Sequence, residues 1–325
     1  MPFYQGIAPG MPGLGNTTYA RGRMIWAGLA GIQYLPVGGI IASALSRDPD
    51  NWEGSTNYGN ETEPETPPTT AALSNIPQLP GAVNGAAPTG TLPGYAGVLR
   101  AGLLMGRIGG QGTTPTVATS LSITAYKGMY RPSILGVTTA TQATGQTTAS
   151  VSASCYYEVA RQYALGVTTF TMIGCQSGTL GTLVTGTMVL TTAPTLSGTT
   201  GTLTFSTMTN SPAQTMAIGA FVCPADDSQY PVTFVDEQFG LNMVDALGNT
   251  VDAGNSSSNS LAIAPFPRVP LAGGIVNVLN IVNYPTSTLL AQIRWLKACL
   301  NSGGSTTTTA TNYGGKFNFT DDYGL

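Results

Sequence analysis

Hydrophobic and polar positions alternate over short distances through most of the chain, and only one window keeps a helical period. In PTSTLLAQIRWLKACL, Leu289, Ile293, Leu296 and Leu300 recur at i, i+4, i+7 and i+11. That spacing places one apolar stripe along a helix. Thr286 or Ser287 supplies an N-cap, and Asn301 with Gly303 supplies a stop. Arg294 and Lys297 fall on another face toward the C-terminal end, where the helix dipole favours cations. Elsewhere the pattern is that of strands. Leu121, Ile123 and Ala125 alternate with Ser and Thr, and GVTTFTMIG and GTLVTGTMVLTT are β-branched runs bounded by glycine. GAFVCPADDSQYPVTFVDE reads as strand, turn, strand, with Asp226-Asp227-Ser228 at the turn, and LAGGIVNVLNIVN reads as a further strand. The fold expected is therefore mainly β, a short-stranded barrel or sandwich, with one C-terminal α-helix and a long irregular N-terminal arm.

Four stretches differ in texture. Residues 1–97 read as an extended N-terminal arm and linker. Its opening is rich in Gly and Pro and carries Phe3, Tyr4 and Tyr19 as isolated aromatic anchors. Met24–Leu45 is the most apolar window, preceded by Arg21 and Arg23. Gln33, Tyr34, Pro36 and several glycines interrupt it, which argues against a membrane span or a secretory leader. A buried strand pair, or an arm covered by a neighbouring chain, is expected instead. Residues 46–91 form a linker in which Glu61, Glu63 and Glu65 alternate with Thr and Pro. Residues 98–137 and 218–300 form a β core, and residues 138–217 a Thr/Gly-rich β region. The tail, 301–325, is polar up to the aromatics Tyr313, Phe317, Phe319 and Tyr323, which are expected to dock on a partner.

Composition narrows the chemistry. The chain of 325 residues has no histidine, 12 Lys+Arg and 15 Asp+Glu, with a net charge of −3. The commonest general base and the commonest zinc ligand are therefore missing. Basic residues are scattered, so neither nucleic acid nor an anionic membrane surface has an electrostatic footprint. So few charges leave little repulsion between neighbouring copies, which suits lateral assembly. No S-x-x-K, G-x-G-x-x-G or P-loop stands in a usable context. Adjacent carboxylates (Asp226/Asp227, Asp236/Glu237, Asp321/Asp322) point to opposite faces of a strand, so no single pair makes a two-carboxylate glycosidase site. Asp245, Asp252 and Asn255 lack the spacing of a calcium loop. No catalytic set, metal or cofactor is expected. Cys155, Cys175, Cys223 and Cys299 allow three pairings and include no C-x-x-C; in a chain this long, buried free thiols are the expected state.

One stretch resembles a known family. LRAGLLMGRIGG followed by ITAYKGMYRP is similar to the paired strands of lambda-like phage head decoration proteins, in Leu99, Arg100, Ala101, Gly102, Leu104, Gly106, Arg107 and Ile108, then Tyr130 and Pro132. GAFVCPADDSQYPVTFVDE and FPRVPLAGGIVN resemble later parts of the same pattern. About a third of the chain is covered, while residues 1–97 and 138–217 depart from it as an extension and an insertion. The resemblance implies a non-enzymatic protein on the outer surface of an assembled virion head. It implies the major capsid protein as partner and a homotrimer as the binding unit. Phe3, Tyr4, Tyr19, Trp26, Tyr34, Tyr313 and Phe317 are the expected contacts with the shell or with a neighbouring copy. Rival readings are a major capsid protein, a host-binding head fibre, a secreted adhesin and a histidine-free glycosidase.

Overall fold

A computed structural model of the protein describes residues 25–28, 31–42, 45–46, 98–99, 101–110, 126–164, 166–237, 239–240, 263–302 and 316–320. Over these residues the chain is mostly β. The first strands are β1 (Trp26–Gly28), β2 (Gln33–Tyr34), β3 (Gly39–Ala42), β4 (Val98–Leu99), β5 (Leu104–Arg107), β6 (Tyr130–Pro132), β7 (Gly136–Val137) and β8 (Thr148–Ser152). Helix α1 (Ala153–Ala164) follows β8 directly, and then come β9 (Thr169–Gln176), β10 (Thr179–Val189), β11 (Thr195–Ser197), β12 (Thr200–Thr204) and β13 (Asn210–Ser211). The last third holds β14 (Phe221–Pro224), β15 (Pro231–Phe234), β16 (Phe239–Gly240), β17 (Ile263–Phe266), β18 (Pro270–Ala272), β19 (Ile275–Asn277), α2 (Leu290–Ser302) and β20 (Asn318–Thr320).

Two five-stranded sheets carry the core, in the orders β15-β5-β6-β3-β17 and β13-β10-β9-β14-β7. The expected strand-turn-strand forms, but its two arms belong to different sheets: β14 pairs with β9, and β15 pairs with β5. The turn at Asp226–Gln229 therefore carries the chain from one sheet to the other, with Asp227 at φ 72°. Asp tolerates that left-handed backbone better than most residues. Strand β9 is buried on both faces from Met172 to Cys175, where its sequence is a continuous apolar run. Phe170 and Met172 join the cluster of Tyr156, Val159 and Leu203, whereas Ile173 joins that of Phe221, Trp295 and Leu296. Helix α2 packs on the latter side, against β9 and β10. Its predicted stripe is buried at Leu289, Leu296 and Leu300, half-buried at Ile293, and widened by Trp295 and Cys299.

Three sequence expectations need correction. First, of the expected arm 1–97, the part described between 25 and 46 takes the buried-strand alternative: Ile25, Trp26, Ile41, Ala42 and Leu45 are buried within the chain's own fold. β3 lies inside a sheet, parallel to β6 and antiparallel to β17. The Pro and Gly that interrupt this window make its turn, in which Gly38 N–H donates to the Leu35 carbonyl at 2.9 Å with Pro36 between them. Second, residues 138–217 are not a separable insertion, because β9 hydrogen-bonds to β14 of the core and β14 to β7. Third, that region contains helix α1, where only strands are expected. Ser152 caps it by accepting from Cys155 N–H at 3.3 Å. Gly166, at φ 87°, stops it, with Gly166 N–H bonded to Tyr163 O and Val167 N–H to Gln162 O. Cys155, Tyr156, Val159 and Ala160 form its buried face.

Candidate functional site

The two phrases that carry the family resemblance are brought together as neighbouring strands: Gly106 faces Arg131 and Arg107 faces Tyr130 across the β5–β6 ladder. Leu99, Ala101, Ile108, Tyr130 and Pro132 are all buried. The glycines serve close approach. A Cβ on Gly106 would stand 2.0 Å from the Ser228 carbonyl, and one on Gly102, at φ 91°, would stand 1.9 Å from the Asn280 carbonyl. Tyr130 meets Phe266 edge-on at 5.4 Å, with Arg107 5.9 Å above its ring. This motif builds the centre of the sheet.

A buried polar chain crosses that centre. Arg131 is fully buried, and it donates from Nη1 to Asp226 Oδ2 at 2.8 Å and from Nη2 to Gln162 Oε1 at 2.6 Å. Gln162 Nε2 donates in turn to Glu158 Oε1 at 2.8 Å. Asp226 Oδ1 accepts from the Ser228 backbone N–H at 3.1 Å and from the Ser228 hydroxyl. One guanidinium thus ties together strand β6, the turn between the sheets and helix α1. A buried charge persists only when it is paired and hydrogen-bonded in this way. The sequence carries no sign of this set, because Arg131 and Asp226 are 95 positions apart and Arg131 and Gln162 are 31 apart.

A second cluster lies at the surface around Asp236. Tyr34 donates its hydroxyl to Asp236 Oδ2 at 2.8 Å, and Arg268 Nη2 bonds Tyr34 Oη at 2.5 Å while standing 3.2 Å from Asp236 Oδ2. Arg268 Nη1 bonds Glu237 Oε1 at 2.7 Å, and the guanidinium stacks 4.6 Å from the Tyr34 ring centre. Burial raises the Asp236 carboxyl above the usual carboxylate range, although Tyr34 and Arg268 pull it down. Burial likewise raises the Tyr34 hydroxyl. Thr233 Oγ1 donates to Pro270 O at 2.6 Å close by. These bonds fasten β2 and β18 to β15. Tyr34, expected at a neighbour's surface, is half-buried in this internal cluster.

Trp26 and Phe317 also belong to the chain's own interior. Trp26 lies 5.1 Å from Phe234 and 6.2 Å from Phe317, and Phe234 lies 5.3 Å from Phe317. Their expected role as outward contacts is replaced by core packing, since a single chain already covers both rings. Phe3, Tyr4, Tyr19 and Tyr313 lie outside the described residues, as do Asp245, Asp252 and Asn255.

All four cysteines are free and buried. Burial pushes the Cys223 thiol well above its ordinary value, with Cys155 and Cys299 adding to the effect. Burial raises Cys175 and Cys299 in the same direction. Such thiols are poor nucleophiles and poor metal ligands. Among the described residues no group of three His, Cys, Asp or Glu is placed to hold a metal ion. Among them, too, no helix is long and apolar enough to cross a membrane.

Several large apolar side chains also face outward. Val37, at the tip of the β2–β3 turn, is 92% exposed, and Ile40 on β3 is 47% exposed. Leu271, on the strand paired with β2, is 37% exposed. Ile218, Leu290, Ile275 and Leu279 are also exposed. No family model, no curated protein and no solved structure matches this chain.

Proposed function

We propose that this protein is a capsid decoration, or cement, protein of a bacteriophage. In this reading it binds the outer surface of the assembled virion head through the major capsid protein, acts as a homotrimer, and catalyses nothing. The observation that carries the reading is the exposure of Val37 in the β2–β3 turn, Ile40 on β3 and Leu271 on β18. Large apolar side chains held outward on ordered strands lower their free energy only when another surface covers them. The polar chemistry supports the same conclusion from the other side. Asp226 is bound to Arg131 and Ser228, and Asp236 to Tyr34 and Arg268. Their side chains serve internal cohesion. The reading carries a finer fold with it, a short-stranded β-barrel or sandwich as the unit that trimerises.

The test is head occupancy. Val37→Asp combined with Ile40→Asp alters only exposed positions, so the chain still folds. Each change puts a carboxylate where the shell would otherwise seal an apolar contact, at a cost of about 2–3 kcal/mol per site, so occupancy on particles falls more than a hundredfold. Undiminished occupancy of the double variant rejects this face as the contact.

A further inference from the structure

The C-terminal strand sits in a groove that it does not help to build. Phe317 is buried, with Trp26 of β1 and Phe234 of β15 as its walls. Its backbone N–H donates to Asn301 Oδ1 of α2 at 3.0 Å. Gly273 N–H donates to the Lys316 carbonyl at 2.6 Å, and Asn318 N–H to the Gly274 carbonyl at 3.3 Å. β20 then runs parallel to β19, with Ile275 beside Asn318, Val276 beside Phe319 and Asn277 beside Thr320. Lys297 Nζ stands 5.5 Å from the Phe319 ring. The described walls of this groove come from β1, β15, β19, α2 and the turn before β19, and among the described residues β20 is an edge strand paired with β19.

The connection is far longer than the gap it closes. Asn301 and Phe317 are hydrogen-bonded to each other, yet residues 302–316 lie between them, rich in Gly, Ser and Thr. Fifteen residues can span at most about 50 Å, enough for the strand to enter the same groove on a neighbouring molecule. The groove's rim points to a protein neighbour as well: Ile275 on β19 is 41% exposed and Leu279, just beyond it, 44%. Two copies that exchange strands bring these rims together and cover them.

We propose that this groove is a strand-exchange site, which accepts the Lys316–Thr320 strand of a second copy of this chain. The occupant is a second copy because the groove already fits this strand, with a phenylalanine pocket, a side-chain acceptor for its first amide and a parallel ladder. Pairing within one chain does not depend on concentration, so dilute protein keeps its own strand, and exchange grows as copies are crowded together. The proposal names one contact between identical chains and does not depend on what they coat.

Full-length chains test it by cross-linking. Ile275→Cys and Asn318→Cys alter exposed positions that are partners in the ladder, while the four native thiols are buried. Treated with a short bismaleimide, a chain carrying both changes should cross-link within itself at micromolar concentration. An equimolar mixture of the two single variants at millimolar concentration should give a two-chain product at least tenfold above either variant alone. Excess synthetic peptide GGKFNFTDDYGL should suppress that product at least fivefold. Absence of the mixed product while the double variant links internally overturns the exchange. Absence of both overturns the ladder on which it rests. Capsid occupancy enters neither readout, so the two proposals fail separately.

Discussion

Changing Asp226 to asparagine keeps the shape of the side chain and removes its charge, which isolates what the ion pair under the β5–β6 ladder contributes. Arg131 has no access to water, and Asp226 is 4% exposed. In Asp226→Asn the amide oxygen still accepts from Ser228, so the turn keeps its local bond. Arg131 loses its direct counter-charge and keeps the neutral Gln162 contact, which leads on to the Glu158 carboxylate. Breaking a buried ion pair by removing one partner costs about 3–5 kcal/mol, and the retained contacts place this variant near the lower end of that range. That is a fall of more than a hundredfold in the folding equilibrium. Arg131→Met removes the other partner and strands Asp226, with a similar loss. The double variant removes both charges, so it should cost no more than either single change, a coupling of about 3 kcal/mol. Urea titration followed by tryptophan fluorescence, with the slope m held constant across variants, measures all four states. Additive losses, or a loss below about 1 kcal/mol for Asp226→Asn, would refute the view that this pair joins the two sheets and helix α1.

Two further outcomes follow from the same geometry. Gly102→Ala combines a φ of 91° with a Cβ placed 1.9 Å from the Asn280 carbonyl, whereas Gly145→Ala has a φ of 84° and open space. Backbone strain alone costs about 1–2 kcal/mol, so Gly145→Ala should melt a few degrees low, while Gly102→Ala loses at least about 3 kcal/mol or fails to accumulate; equal shifts would contradict the packing described. The buried Asp236 carboxyl binds its proton more tightly in the folded chain than in the unfolded one. Relative to Asp236→Asn, the natural chain should therefore lose stability as pH rises from the unfolded value of about 3.9 through the raised folded one, and then level off. The slope should not exceed about 1.4 kcal/mol per pH unit. Urea midpoints for both chains between acid and neutral pH read this difference, and a gain on raising the pH refutes it.

Much of the local architecture was legible along the chain. The spacing of Leu289, Leu296 and Leu300 marks α2, and the turn chemistry of Asp226-Asp227-Ser228 marks the crossing between β14 and β15. Four cysteines in a chain long enough to bury a core without cross-links are free and buried. Such features rest on neighbours within a few positions, where period, caps and backbone preference act. Helix α1 had local signals too, with Ser152 as cap and Gly166 as stop, but the surrounding Thr and Gly outweighed them in a reading by composition.

Contacts between distant segments followed a different logic. Tertiary packing put Ile25, Trp26, Ile41, Ala42 and Leu45 inside the fold through the pairings of β1 with β19 and β3 with β17, each more than 200 residues away. It also drew Phe317 between Trp26 and Phe234 and Arg131 toward Asp226 and Gln162. An aromatic ring or a guanidinium looks the same in sequence whether its own chain or another molecule covers it. Burial energy depends on which surfaces meet after the chain has closed its loops, and that meeting leaves no mark on the residues to either side.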